Sequence, residues 1–100
     1  MPSSIYRINK AGAYAVGHFK FIGMRLDLGS PQTCRQIDMD KKEVAGLLDI
    51  LDIDWEDGGY VSDLLVGQNV LVTDDIDGYP LCIGDPYGNR SMELNEARHA

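Results

Sequence analysis

The apolar positions of this 100-residue chain change period along its length, and each period predicts an element. Ile5-Tyr6-Arg7-Ile8-Asn9 alternates as a half-buried strand does. Lys10-Ala11-Gly12 then reads as a short hairpin loop in which Gly12 can take a positive φ. From Tyr14 to Leu28 the pattern stays strand-like but slips phase. Phe19 and Phe21 share one face with His18 and Lys20 opposite, whereas after Gly23 the apolar set is Met24, Leu26 and Leu28, with Arg25 and Asp27 opposite. A slip of phase at a glycine is what a bulge or a sharp bend produces, so this is one bent strand or two short ones. Gly29-Ser30-Pro31 breaks it, and Cys34 to Met39 is a further short strand with Ile37 and Met39 inward.

At Asp40 the period shifts from two to 3.6. Asp40 and Glu43 are spaced as a capping box, and Met39 and Val44 stand where a hydrophobic staple would place them. Val44, Leu47, Leu48 and Leu51 form the apolar stripe, with Asp49 and Asp52 facing water, so the stretch from Met39 to Leu51 should contain the longest helix. Gly58-Gly59 ends the segment. Val61 to Leu65 predicts one helical turn, capped by Ser62 and stopped at Gly67. Asn69 to Thr73 and Tyr79 to Ile83 are the strongest strands, joined through Asp74-Asp75-Ile76-Asp77-Gly78 with its Asp-Gly turn chemistry. From Asn89 the tail is polar, and a frayed helix or disorder is expected. The elements add up to a single α+β domain over residues 1–100: a small antiparallel sheet with one main helix and a C-terminal β-hairpin joining the same sheet.

With 44% apolar residues the chain can bury one core. Charge changes the picture more. From Glu43 to Asn89 there is no Lys or Arg, yet the stretch carries Glu43, Asp49, Asp52, Asp54, Glu56, Asp57, Asp63, Asp74, Asp75, Asp77 and Asp85. The preceding residues carry seven basic side chains against three acidic ones, and the last eleven balance, so nearly all of the net charge of −7 arises in one block. That balance argues against direct binding to nucleic acid, which needs a basic face, and against anionic membrane surfaces. No apolar run approaches the ~20 residues of a membrane span, and the N-terminus lacks an apolar signal core, so a cytoplasmic protein is expected. Cys34 and Cys82 have no CxxC spacing; Cys82, within Leu81-Cys82-Ile83, suits a small buried hydrophobe.

The candidate chemistries are thin. Asp52-Ile53-Asp54-Trp55-Glu56 begins like a calcium loop, but its sixth position is Asp57 where the turn needs Gly. A second register brings Asp75, Asp77 and Gly78 into place but starts on Thr73 and ends on Gly84 rather than on a bidentate Glu. A nucleophile–base pair would have to come from Cys34 or Cys82 with His18, and no local signature surrounds any of them. Two carboxylates could in principle serve acid–base chemistry, though a chain this short has little room for a cleft. No Gly-rich phosphate loop is present. The sequence therefore predicts no enzyme, no cofactor and no metal. Trp55 and Tyr60 bracket a Gly-containing loop, where each either anchors the loop on the core or stands out as a contact residue.

The block itself carries the functional expectation. A surface serving solubility alone would interleave both signs, whereas one-sign surfaces cost self-repulsion. Asp49, Asp52, Asp54, Glu56, Asp57, Tyr60, Asp63, Asp74, Asp75 and Asp77 are the candidate partner-binding residues. Carboxylates along a helix and hairpin stand roughly 5–7 Å apart, near the coarse charge spacing of a phosphate backbone. The expectation is a non-enzymatic protein, a monomer with a dimer as the alternative, that blocks a basic, nucleic-acid-binding site on another protein. In size, acidity and lack of catalytic motif, with the acids running from Glu43 to Asp85, the chain resembles the small phage-encoded inhibitors of bacterial defence systems, among them DNA-mimicking anti-CRISPR proteins. The resemblance is one of composition and carries over no individual residue. An immunity protein or antitoxin against a basic nuclease would use the same complementarity, and a structural or assembly component of a virus particle is the alternative from another class.

Overall fold

The computed structural model of the protein describes residues 2–14, 23–30, 33–56 and 61–94. Six strands form one antiparallel sheet: β1 (Ser3–Tyr14), β2 (Gly23–Gly29), β3 (Cys34–Asp40), β4 (Asn69–Asp74), β5 (Pro80–Gly84) and β6 (Ser91–Glu93). Their spatial order is β3-β2-β1-β4-β5-β6, two three-stranded meanders joined where β1 meets β4. The helices α1 (Lys41–Ile50) and α2 (Val61–Leu65) lie in the connection from one meander to the other.

The long strand β1 makes the junction by bending. Its first residues, Ser3 to Arg7, pair with β4, and Arg7 to Tyr14 pair with β2. Between them the register slips, with Ile8 opposite Leu28 and Lys10 opposite Asp27, so Asn9 is the extra residue of a bulge. The hairpin loop expected at Lys10-Ala11-Gly12 is therefore corrected. These residues continue the strand opposite Asp27, Leu26 and Arg25, and Gly12 does not take the positive φ that a turn there would use. The phase slip expected between Phe21 and Gly23, and with it Phe19, lies outside the described residues.

Alternation sorts the faces. Tyr6, Ile8, Met24, Leu26, Leu28, Ile37, Met39, Val70, Val72 and Ile83 are buried on the concave side. The sheet curls around α1, which touches β2 and β3 at one end and β5 and β6 at the other. Val44, Leu47 and Leu48 of α1 fill the concavity, and Leu51 is partly buried at its margin. At Gly46 the helix comes so near β6 that a Cβ there would sit 3.2 Å from the Met92 sulfur. The capping box forms as spaced: the Asp40 carboxylate accepts the Glu43 N–H at 2.8 Å, and the Glu43 carboxylate accepts the Asp40 N–H at 3.0 Å. That reciprocal pair lets the Glu43 side chain be buried.

The helix ends in a Schellman arrangement without glycine. The Ile53 N–H reaches the Leu48 carbonyl at 3.0 Å and the Asp52 N–H that of Asp49 at 3.1 Å, with Asp52 at φ 57°. The chain is thus of the α+β class with an antiparallel sheet. The tail differs from expectation, because Ser91 to Glu93 pair with β5 and Leu94 is buried. The last hairpin expected from the sequence is consequently followed by another strand, drawn in by Met92 and Leu94 packing against the core.

Candidate functional site

Folding divides the acidic block in two. Four of its carboxylates have structural work. Glu43 closes the capping box. Asp74 is bound by Arg35, whose Nη1 donates to both carboxylate oxygens at 2.9 and 3.0 Å, in a pair about one-fifth exposed on each side. Arg35 lies on β3 and Asp74 on β4, with β2 and β1 between them in the sheet, so this pair ties the rim of the curl together. The Arg35 guanidinium also lies over the Tyr6 ring, 5.7 Å from its centroid. Burial pulls the Arg35 pKa down, but hydrogen bonding to Tyr6 and Asp74 outweighs it and holds the pKa above the usual arginine value. Breaking such a pair leaves a poorly solvated charge behind.

Asp75 and Asp85 each build a turn. The Asp75 Oδ1 accepts the N–H of Asp77 at 2.8 Å and of Tyr79 at 2.9 Å. Asp85 is buried; its Oδ1 accepts the Tyr87 N–H at 2.9 Å and its Oδ2 the Arg90 N–H at 2.5 Å. The Arg90 amide is the main reason that the Asp85 pKa lies below the usual carboxylate value. Burial opposes the shift, and the amides of Asn89 and Tyr87 and the Arg90 charge reinforce it.

Asp52, a fifth member, is exposed but engaged. Arg90 Nη2 donates to its Oδ1 at 2.9 Å and to the carbonyls of Asp49 and Ile50 at 2.6 and 2.7 Å. A cation thus sits on the negative end of the α1 dipole, against the last carbonyls of the helix.

The remaining described acids, Asp49, Asp54, Glu56, Asp63 and Asp77, are exposed and in no ion pair among the described residues. Asp49 accepts the Trp55 Nε1–H at 3.2 Å, which folds the segment after α1 back on the helix. Exposure alternates along that segment: Asp52, Asp54 and Glu56 face water, while Ile53 and Trp55 are partly buried against the core. Trp55 is therefore an anchor of the loop on the core. Asp57 and Tyr60 lie outside the described residues. The structure brings Asp49, Asp52, Asp54 and Glu56 into one short stretch; Asp63 is on α2, and Asp74, Asp75 and Asp77 are at the β4–β5 turn.

Sequence reasoning did not single out Arg35, Asp85, Tyr87 or Arg90. One signal was present for two of them: Asp85-Pro86-Tyr87-Gly88 repeats the Asp-x-x-Gly spacing of Asp75 to Gly78 and predicts a second aspartate-built turn. Among the described residues no group of three His, Cys, Asp or Glu side chains is placed to hold a metal ion. Cys34 is an exposed thiol at the start of β3 and Cys82 a half-buried one on β5, and His18 lies outside the described residues. No described helix is long and apolar enough to cross a membrane. Comparison with protein-family models, with curated proteins and with solved structures finds no match to this chain.

Proposed function

We propose that the protein is a non-enzymatic, protein-binding inhibitor whose acidic surface occupies a basic, nucleic-acid-binding site on a partner, in the manner of a DNA mimic such as the anti-CRISPR proteins that its composition resembles. The observation that supports this reading is the outward row after α1. Ile53 and Trp55 hold the segment to the core, so Asp54 and Glu56 project from a fixed backbone, with Asp49 and Asp52 beside them. Alternate positions of an extended chain are about 6.6 Å apart, a spacing that suits lysines and arginines arranged to hold phosphates. The β4–β5 turn contributes Asp77, whereas Asp74 and Asp75 stay in the binding set through the field they add rather than through open carboxylates.

The test captures bacterial lysate proteins on the immobilised chain, elutes with a salt gradient and repeats the capture with competing nucleic acid. Screening over ~8–10 Å should release the partner steeply with salt, and nucleic acid should displace it. Asp54→Lys with Glu56→Lys should abolish capture while the protein stays folded, because like charges facing each other repel. Undiminished capture by the double variant, or a partner that holds nucleic acid and this protein together, would refute the reading.

A further inference from the structure

A cleft of about 320 Å³ opens between the C-terminal end of α1, the start of β4 and the β5–β6 turn, with Leu51, Asp52, Asn69, Asp85, Tyr87 and Arg90 in its walls. Its charges do not balance. Arg90 is the one cation of the lining against Asp52 and Asp85, and the Arg90 Nη2 is already shared among three oxygens of the helix end. Asp85 spends both of its oxygens on backbone amides. Among the described residues the second oxygen of Asp52 accepts no hydrogen bond, and that side chain is 88% exposed. The carbonyl end of α1 adds partial negative charge to the same place.

Tyr87 supplies the other half. It is 87% exposed, yet its backbone is fixed by the bond from its N–H to Asp85. An exposed aromatic ring on a rigid turn loses little freedom when a partner covers it, which is the profile of a binding hot spot. Elsewhere the chain already combines these groups: Arg35 lies over the ring of Tyr6 and is bonded to Asp74.

We propose that this cleft seats an arginine side chain presented by a protein partner, its guanidinium lying on Tyr87 and paired with the open oxygen of Asp52. The proposal rests on the reading of the acidic surface as the docking face for a basic protein, and it names the anchor within that face. Arginine suits the site better than lysine because a planar guanidinium can stack on the ring and donate sideways to the carboxylate at once.

N-acetyl-arginine amide, titrated into the isotopically labelled protein and followed by amide NMR shifts, tests the site without any partner. Saturable shifts are expected at Asp52, Tyr87 and Asn89, with weaker shifts from N-acetyl-lysine amide and none from N-acetyl-glutamate amide. Tyr87→Ala should weaken arginine binding about two- to fivefold, as loss of one exposed cation–π contact does, and its spectrum reports directly that the fold persists. Asp52→Asn should weaken binding and reduce its salt dependence. Shifts that never saturate and spread over all the exposed acids would overturn the proposal, and so would saturable binding of the glutamate derivative in the cleft. Because the probe needs no partner, failure here leaves capture of a basic protein by the acidic row standing, whereas failed capture with an intact titration sinks the inhibitor reading alone.

Discussion

The β4–β5 and β5–β6 turns are built alike and end in opposite surroundings. In each, an aspartate carbonyl accepts the N–H of the glycine three residues on at 3.1 Å, from Gly78 to Asp75 and from Gly88 to Asp85. In each, the same aspartate's Oδ1 accepts the N–H two residues on, at 2.8 and 2.9 Å. Both glycines have positive φ, 87° and 78°. Yet the first turn stands in water, with Ile76 95% exposed at its tip, whereas the second sets a buried aspartate against the end of α1 and supplies the arginine that caps the helix. Local sequence thus writes the turn, and the partner element decides whether its carboxylate is surface or framework. The same distinction separates the acids available for binding from those that hold the fold.

The largest effect should come from the element on which the second turn rests. Leu48 is fully buried on α1, and its carbonyl anchors the Schellman bond from Ile53. Leu48→Ala should cost about 2–5 kcal/mol, the range for truncating a packed core leucine. Ile76→Ala in the first turn should stay within about 0.5 kcal/mol, as surface changes do. Chemical denaturation of both variants measures the contrast; equal losses would mean that the two turns are not differently supported.

The aspartates themselves come next. Asp75 makes its two turn bonds through Oδ1, so Asp75→Asn can keep both. Asp85 uses both oxygens, and in Asp85→Asn an NH₂ group must face an amide donor, Arg90 N–H or Tyr87 N–H. Asp85→Asn should therefore lower the melting temperature clearly more than Asp75→Asn. The pH dependence carries a second signature. The Asp85 pKa in the folded chain lies below the ordinary value of about 3.8, so its contribution is fully present above that value and is lost as pH falls through the lower, folded one. Below about pH 4 the wild-type melting temperature should consequently fall more steeply than that of Asp85→Asn. Parallel acid limbs would show that Asp85 is not held as a carboxylate.

The contrast also explains what could be read from the chain and what could not. The α1 start was legible because Asp40, Glu43 and the stripe from Val44 are neighbours in sequence, and so were the alternating runs that became β2, β3 and β4. The bulge at Asn9 was not, because it exists only once β1 must serve β2 with one half and β4 with the other. The short strand β6 has almost no pattern of its own and forms through Met92 and Leu94 meeting α1 and β5. The site divided along the same line. Exposure of Asp54, Glu56 and Asp77 follows from local pattern, whereas the engagement of Asp74 and Asp52 depends on arginines 39 and 38 residues away.

A smaller and more even effect should appear at the two glycines. A Cβ at Gly78 would meet no atom within 4 Å, and one at Gly88 would have only the Leu71 Cδ2 at 4.0 Å, so neither site is limited by space. What Gly78→Ala and Gly88→Ala share is the left-handed backbone, which should cost about 1 kcal/mol at each. Equal losses in the two variants would support a common turn geometry. A loss confined to Gly88→Ala would mean that the first turn tolerates another conformation.

The least effect should come from calcium, and the reason lies in the first turn. Asp75 and Asp77 stand there in partial register with a calcium loop, and Asp74 adjoins them. A calcium ion needs 6–8 oxygen ligands drawn together at about 2.3–2.6 Å. The Oδ1 of Asp75 already accepts two amides, and both oxygens of Asp74 accept from Arg35, so recruiting them would break the turn and free a half-buried arginine. Asp77 remains, with its side chain at an exposed tip, and one carboxylate makes no cage. Millimolar Ca²⁺ should then raise the melting temperature only slightly, and Mg²⁺ equally, through general neutralisation of a chain of net charge −7. A saturable rise selective for Ca²⁺, abolished by Asp75→Asn, would show instead that the turn opens to bind the ion and that its aspartate bonds are weaker than those of the second turn.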